Sequence, residues 1–261
     1  MIKRFFRDLK HYMPYAVKAA KAKLSSEVAG SYLNWIWWIL NPLCFMMIYA
    51  FIFGTVFHAR EPNFSVFIYT GLTVFNFFNV TVTSSVNVIR VRRILVSKVY
   101  LPKYILVIIN IMVNGFKMLI SIGVISIMVI YYRIPLTWNI LYIIPCVAVL
   151  FLVTFSVSCF ALHCGVYIRD LSNGVSIVMR ILLYMTGIFY DVGKRVPAPW
   201  GHWAVRLNPL ACILTQIRGA LLNGTILMWQ WLIIWLAAGL VFSLLGVALI
   251  YKNENNYVKV V

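Results

Sequence analysis

YILVIINIMVNGFKMLISIGVISIMVIY, Tyr104 to Tyr131, runs for twenty-eight residues with one charge, Lys117. A helix of that length measures about 42 Å, more than the ~30 Å of bilayer hydrocarbon. In lipid the backbone has no water partner, so only helices and closed barrels span. The run is too long and too uniformly apolar for a barrel strand, which leaves a membrane helix.

Five similar runs lie outward from it, at about 33–57, 64–88, 139–163, 172–190 and 226–250. The chain of 261 residues is 63% hydrophobic and 11% charged, against roughly 25% charged in soluble proteins. The expectation is an all-α integral membrane protein with a single domain over 1–261. It comprises an interfacial segment at 1–31, six transmembrane helices within 32–250 and a cytoplasmic tail at 251–261. Met1 to Lys23 carries cations throughout and lacks the pattern of a cleaved leader, so the first span is expected to be retained.

Lysine and arginine set the orientation. Fifteen fall before the first span, between spans two and three, after span four and in the tail, whereas six fall on the other side. By the positive-inside bias both termini are cytoplasmic. The net charge of +17 then marks a face bordering anionic lipid and gives no reason to invoke nucleic acid. The five cysteines show no CxxC pair and mostly sit in apolar runs, which predicts buried small hydrophobes and no metal site.

Before span one, Pro14 marks a possible helix start, and Val17, Ala20, Leu24 and Val28 follow at helical spacing beside Lys18 and Lys21. That pattern predicts an amphipathic helix in the cytoplasmic interface. Tyr32, Trp35, Trp37 and Trp38 open span one as an aromatic belt. Span two carries Asn76, Asn79, Thr83 and Asn87 near one face, and span three carries Asn110, Asn114, Lys117 and Ser121. Such stripes either join helices or line a polar path, and the sequence favours neither. Lys117 and Arg180 lie near mid-span, yet none of the six acidic residues falls at the centre of a span. Both cations are therefore expected to lack a carboxylate partner at matching depth. They then either contact carbonyls and amides or face an aqueous route for a polar or anionic cargo.

Between spans five and six, Pro197, Pro199 and Gly201 interrupt the chain, and Asn208 with Pro209 forms a helix-start signal for a run to about Leu222. An extracellular re-entrant helical pair is predicted. No carboxylate pair, His/Cys cluster or Ser-His-Asp set has plausible spacing, so enzymatic chemistry gains no support. The nearest approach to a phosphate-binding loop, GIFYDVGKR at Gly187 to Arg195, has the wrong spacing and Arg in place of Ser or Thr. Any ATP hydrolysis is expected to reside in a partner.

IRVRRILVSKVYLPKY, Ile89 to Tyr104, carries Arg90, Arg92, Arg93, Lys98 and Lys103 with apolar residues interleaved, Leu95 and Tyr100 among them, and Pro102 near its end. A solvated loop explains the charges alone; the interleaving suits docking into a partner's groove.

Here a resemblance becomes specific. YLNWIWWILNPLCFMMIYAFIFG at 32–54, FSVFIYTGLTVFNFF at 64–78, LVSKVYLPKYIL at 95–106, YIRDLSNGV at 167–175 and LNPLACILTQIRGALLNG at 207–224 follow one another in an order similar to that in certain permeases. These are the permease subunits of ABC-2 type exporters of O-antigen, teichoic acid, capsule and related polysaccharides. The resemblance implies a homodimer in the bacterial inner or plasma membrane, bound to two ATPase subunits that hold ATP and Mg. It implies a polyprenyl-lipid-linked glycan as cargo and a coupling helix over about Arg90–Lys103. Arg169 and Asp170 match the family's cytoplasmic RD motif, and Lys18, Lys21 and Lys23 become neighbours of the lipid head group. Phe45, Tyr49, Phe53, Phe78 and Tyr184 are conduit candidates by position, joined by Lys117 and Arg180. Asn208, Pro209 and Arg218 belong to the re-entrant gate. Alternatives are a drug or small-lipid exporter on the same scaffold, or a membrane-embedded polyprenyl-lipid transferase.

Overall fold

The computed structural model describes residues 2–29, 34–57, 61–93, 100–226 and 228–260, and the described residues hold helices and no strand. The first helix, α1, covers Ile2–Val28 and runs through Pro14, so it begins a dozen residues before the expected start. Its early turns are held from outside: the Phe5 ring meets Tyr104 at 5.2 Å, and Arg4 donates to the Tyr100 hydroxyl at 2.8 Å. Its buried face is Phe5, Leu9, Tyr12, Ala16, Ala20 and Leu24. Val17, expected on that face, points out and is 47% exposed.

Span one is α2, Asn34–Tyr49, continued by a π-helical stretch over Ala50–Val56. Then come α3 (Phe64–Val86), the single turn α4 (Val88–Val91) and α5 (Tyr104–Tyr131). A 3-10 turn at Trp138–Tyr142 leads into α6, Ile143–Tyr167. Helices long and apolar enough to cross a bilayer number five among the described residues. The run expected as the fifth of six spans, 172–190, forms only α7, Leu171–Met185. Fifteen residues reach about 22 Å, short of the hydrocarbon layer. The helix stops because the chain turns at Gly187, φ 74°, where a Cβ would collide with Val192.

After α7 come α8 (Val192–Arg195), α9 (Trp200–Leu207) and α10 (Pro209–Arg218), the last extended by a π-helical turn over Gly219–Asn223. The long α11, Trp229–Val260, absorbs the expected separate tail into one helix. Its last turns are packed: Tyr257 is buried and meets His163 at 2.6 Å.

The core forms where α3, α5, α6 and α10 meet. α6 and α11 approach closely through small residues, with Ser156 bonded to Ser243 at 2.7 Å and to the Gly239 carbonyl at 2.8 Å. A Cβ at Gly165 would strike the Val86 carbonyl, so only glycine allows α6 to pass the end of α3 there. Arg90 donates to the Val166 carbonyl, and Arg4 reaches both Tyr100 and Glu254. The start of α1, the described parts of the 87–104 connection, the α6–α7 turn and the end of α11 therefore share one end of the bundle.

Candidate functional site

Although α3 is buried on most of its circumference, Asn76, Asn79, Val80, Thr83 and Ser84 remain at least partly exposed. Their spacing keeps them on one face. That face forms one wall of a cleft with a cavity volume of about 680 Å³. Asn41, Pro42, Phe45 and Tyr49 of α2 form a second wall, and Ser176, Met179, Arg180 and Leu183 of α7 a third. Arg180 is exposed, and among the described residues no carboxylate lines the cleft, so its charged lining there is cationic.

The two polar stripes of the sequence thus separate. Span two's stripe, Asn76, Asn79 and Thr83, faces the cleft, whereas span three's joins helices. Asn114 donates to the Thr81 hydroxyl at 3.0 Å inside the core, and Asn110 accepts from Lys23 at 3.0 Å.

Of the conduit candidates, Phe45, Tyr49 and Arg180 line this cleft. Phe53 continues their stripe: the rings of Phe45, Tyr49, Phe53 and Phe57 follow at four-residue intervals with centroids 5.6 to 6.5 Å apart. Phe189, which sequence reasoning missed, anchors the stripe. It lies 4.5 Å from Tyr49, 4.7 Å from Phe53 and 5.8 Å from the exposed Tyr184. Asn41, Ser84 and Ser176 were missed as well, since single small polar residues in apolar runs carry no pattern. Phe78 must be corrected: it is 4% exposed and belongs to the core, because the face of α3 on which it lies is covered by its neighbours.

Lys117 must also be corrected. It lies outside the cleft and does have a carboxylate partner: its Nζ stands 2.6 Å from Glu27 Oε2. Thirteen residues, about 20 Å, separate Tyr104 from Lys117 along α5, and α1 runs beside that whole length. Its far end thereby delivers Glu27 to mid-helix. The Lys117 ammonium also sits 5.3 Å from the Trp38 ring. Both charged groups are partly exposed, so Lys117→Met is expected to cost about 1 kcal/mol. Combined with Glu27→Gln it should cost less than the two added together. Thermal unfolding of the four proteins in detergent measures this; strictly additive costs would remove the pairing.

The remaining cations divide. On α1, Lys18 and Lys21 are exposed, whereas Lys23 is turned onto α5. Burial lowers the Lys23 pKa, and neighbouring Arg92 and Lys117 lower it further while Glu27 opposes them. In the basic connection, Arg90 is engaged with the carbonyls of Val166 at 3.2 Å and Arg169 at 3.3 Å. This brings the connection against the Arg169–Asp170 turn, whose Asp170 carbonyl accepts from Asn173 and Gly174 as α7 begins. Arg93 is exposed and Arg92 half-exposed. Leu95 and Lys98 lie outside the described residues. The Tyr100 hydroxyl joins Arg4 and Glu254, Pro102 is buried, and Lys103 is 3% exposed with its pKa lowered by burial.

At the opposite end, Asn208 caps α10 by accepting from Leu210 N at 3.0 Å and Ala211 N at 3.4 Å, with Pro209 as the first helical residue. Arg218, expected beside them in a gate, is buried. Its guanidinium donates to the carbonyls of Phe67, Gly187 and Ile188 at 2.7 to 3.2 Å and lies 3.4 Å from the Phe67 ring centroid. It holds α10, the end of α7 and the start of α3 together.

Comparison with known proteins adds an independent observation. The chain is 29% identical to an O-antigen export system permease protein RfbA of Klebsiella pneumoniae over 93% of its own length and 92% of the relative's. It is 24% identical to the protein of the same name from Myxococcus xanthus, over 82% and 83%. It is also 23% identical to the polysialic acid transport protein KpsM of Escherichia coli, over 74% and 76%. The ABC-2 type transporter model matches residues 21–222, well over half of the sequence, and the chain belongs to that family.

Proposed function

We propose that the chain is the membrane permease subunit of an ATP-driven exporter, and that its cargo is a lipid-linked polysaccharide of the cell surface. The observation that carries the reading is the cleft between α2, α3 and α7. Its amide and hydroxyl groups hydrogen-bond sugar hydroxyls, its aromatic stripe offers faces on which sugar rings stack, and Arg180 suits an anionic group such as a pyrophosphate linker. The cleft is open; the π-helical stretch after α2 exposes Phe51, and α7 exposes Ile177, Ile181 and Tyr184. A second copy of the chain closes it into a conduit.

In this reading α7, with the turn after it, is a sixth crossing. The end of the bundle that holds both termini and the basic connection is the cytoplasmic one of a bacterial inner or plasma membrane. Two separate ATPase subunits bind ATP and Mg and dock on the 87–104 connection, where Arg92 and Arg93 remain accessible.

The test is complementation of a strain lacking the chain with the wild type and with Arg92→Glu/Arg93→Glu, followed by assay of surface glycan and of the co-purified ATPase. The variant is expected to insert normally and to lose both glycan and ATPase. Surface glycan unchanged by deletion of the chain would overturn the cargo assignment. An intact complex in the variant would return the basic connection to an ordinary positive-inside loop.

A further inference from the structure

At the bundle end opposite the termini, a second groove opens between α3, α5, α6 and α10, with a cavity volume of about 330 Å³. Its floor includes Val74 and Met118, 2% and 5% exposed, and its lip is made by the exposed Ile130, Leu136 and Ile144. The wall is almost wholly hydrocarbon. Thr70 and Ser126 donate their hydroxyls back to the carbonyls of Val66 and Ile122, at 2.8 and 3.0 Å. The exception is the Thr73 hydroxyl, buried and unpaired among the described residues. At the lip, α5 ends on Tyr131 and the turn after it carries Tyr132 and Arg133, all three exposed, and Trp138 follows at 88% exposure.

We propose that this groove is a lipid site that seats one acyl chain of a phospholipid whose anionic head group is held by Arg133. Such a groove within the bilayer does not stay empty, because its lining would forfeit dispersion contacts on one side. Water is a poor occupant, since it needs two to four polar partners and the wall offers almost none. A string of methylenes fits. The lip supplies the other half of the ligand, because aromatics and a cation clustered where a helix leaves the hydrocarbon form the interfacial pattern. Arginine's planar fork matches a phosphate in particular. This site is distinct from the cleft, shares none of its residues and stands whatever the cargo is.

The experiment uses the full chain reconstituted in phosphatidylethanolamine vesicles doped with phosphatidylglycerol that carries a diazirine at the end of one acyl chain. Irradiation and peptide mass spectrometry then map the labelled residues. The expected result is labelling of Val74 and Met118 on the groove floor, which lipid around the outside of the bundle does not reach. Floor labelling should fall about tenfold in Arg133→Gln and with a phosphatidylethanolamine probe. Ser126→Trp, which enlarges a small exposed residue of the wall, should abolish it. Labelling of the wild type confined to outward residues such as Leu119 and Ile127, 65% and 68% exposed, would overturn the site without reliance on any variant. Equal floor labelling by both probes, unmoved in Arg133→Gln, would overturn the anionic head-group assignment.

Discussion

Arg218→Met is expected to lower the stability of the purified chain by about 3–5 kcal/mol, enough to leave little folded protein where total stability is of order 5–15 kcal/mol. Methionine reproduces the side chain only as far as Nε, and the desolvation cost of a buried charge disappears, so the loss comes from the bonds that the guanidinium made. The carbonyls of Gly187 and Ile188 lie beyond the last turn of α7 and depend on the guanidinium as their donor. Each buried carbonyl left unpaired costs roughly 1–3 kcal/mol, and the bonds lost are charge-assisted. Arg218→Lys should fall between, because one ammonium cannot replace a fork that meets three carbonyls at once. A second variant makes the argument sharper. A Cβ on Gly71 would stand 2.6 Å from Arg218 Nη2 and 3.1 Å from Ile188 Cγ2, so Gly71→Ala should be destabilising in the wild type. It should be less so once Arg218 is methionine. Thermal unfolding in detergent reads all five proteins, the wild type included. Melting of Arg218→Met within a degree or two of wild type would refute the clamp.

Where the sequence could be read, local chemistry decided the outcome. The α5 bounds Tyr104 and Tyr131 were legible because the apolar run is bordered by Pro102 and by the turn at Tyr132–Arg133. The start of α10 was legible because Asn208 and Pro209 act on the backbone within three residues of themselves. The early end of α7 was not, since the sequence stays apolar to Tyr190 while the chain turns at Gly187. Hydropathy does not register φ.

Long-range juxtaposition explains the other misses. Glu27 meets Lys117 only because α1 runs beside α5 for half its length, and no spacing in either segment encodes that. The stripes of α3 and α5 have nearly the same composition, yet one faces the cleft and the other binds helices, according to which neighbour lies opposite. Phe45 and Phe78 likewise differ in the face on which they lie and in what covers it.

A conduit that carries a glycan fails when it is filled and changes when its charge is reversed, and the cleft allows the two effects to be separated. Ser84 is small, partly exposed and lies on the α3 wall, with its hydroxyl donating to the Thr81 carbonyl at 3.1 Å. Ser84→Trp is expected to reduce surface glycan more than about tenfold while the complex with the ATPase still assembles. In the proposed function an indole there occupies space that the cargo needs in every turnover, whereas the proposed docking end of the molecule is untouched. Ile127→Trp on the outward face of α5 is the matched control and should export normally. Arg180→Glu asks a different question. Two charges 4 Å apart interact by about 4 kcal/mol near a protein surface, and the exposure of Arg180 screens that further, so a loss of about tenfold is expected for an anionic cargo. Arg180→Lys should retain most export, since the charge remains. If Ser84→Trp exports like the wild type, the cleft is not the path, and its aromatic stripe reverts to packing between two copies. If Ser84→Trp blocks while Arg180→Glu does not, the path stands and the cargo crosses it without presenting its negative charge to α7.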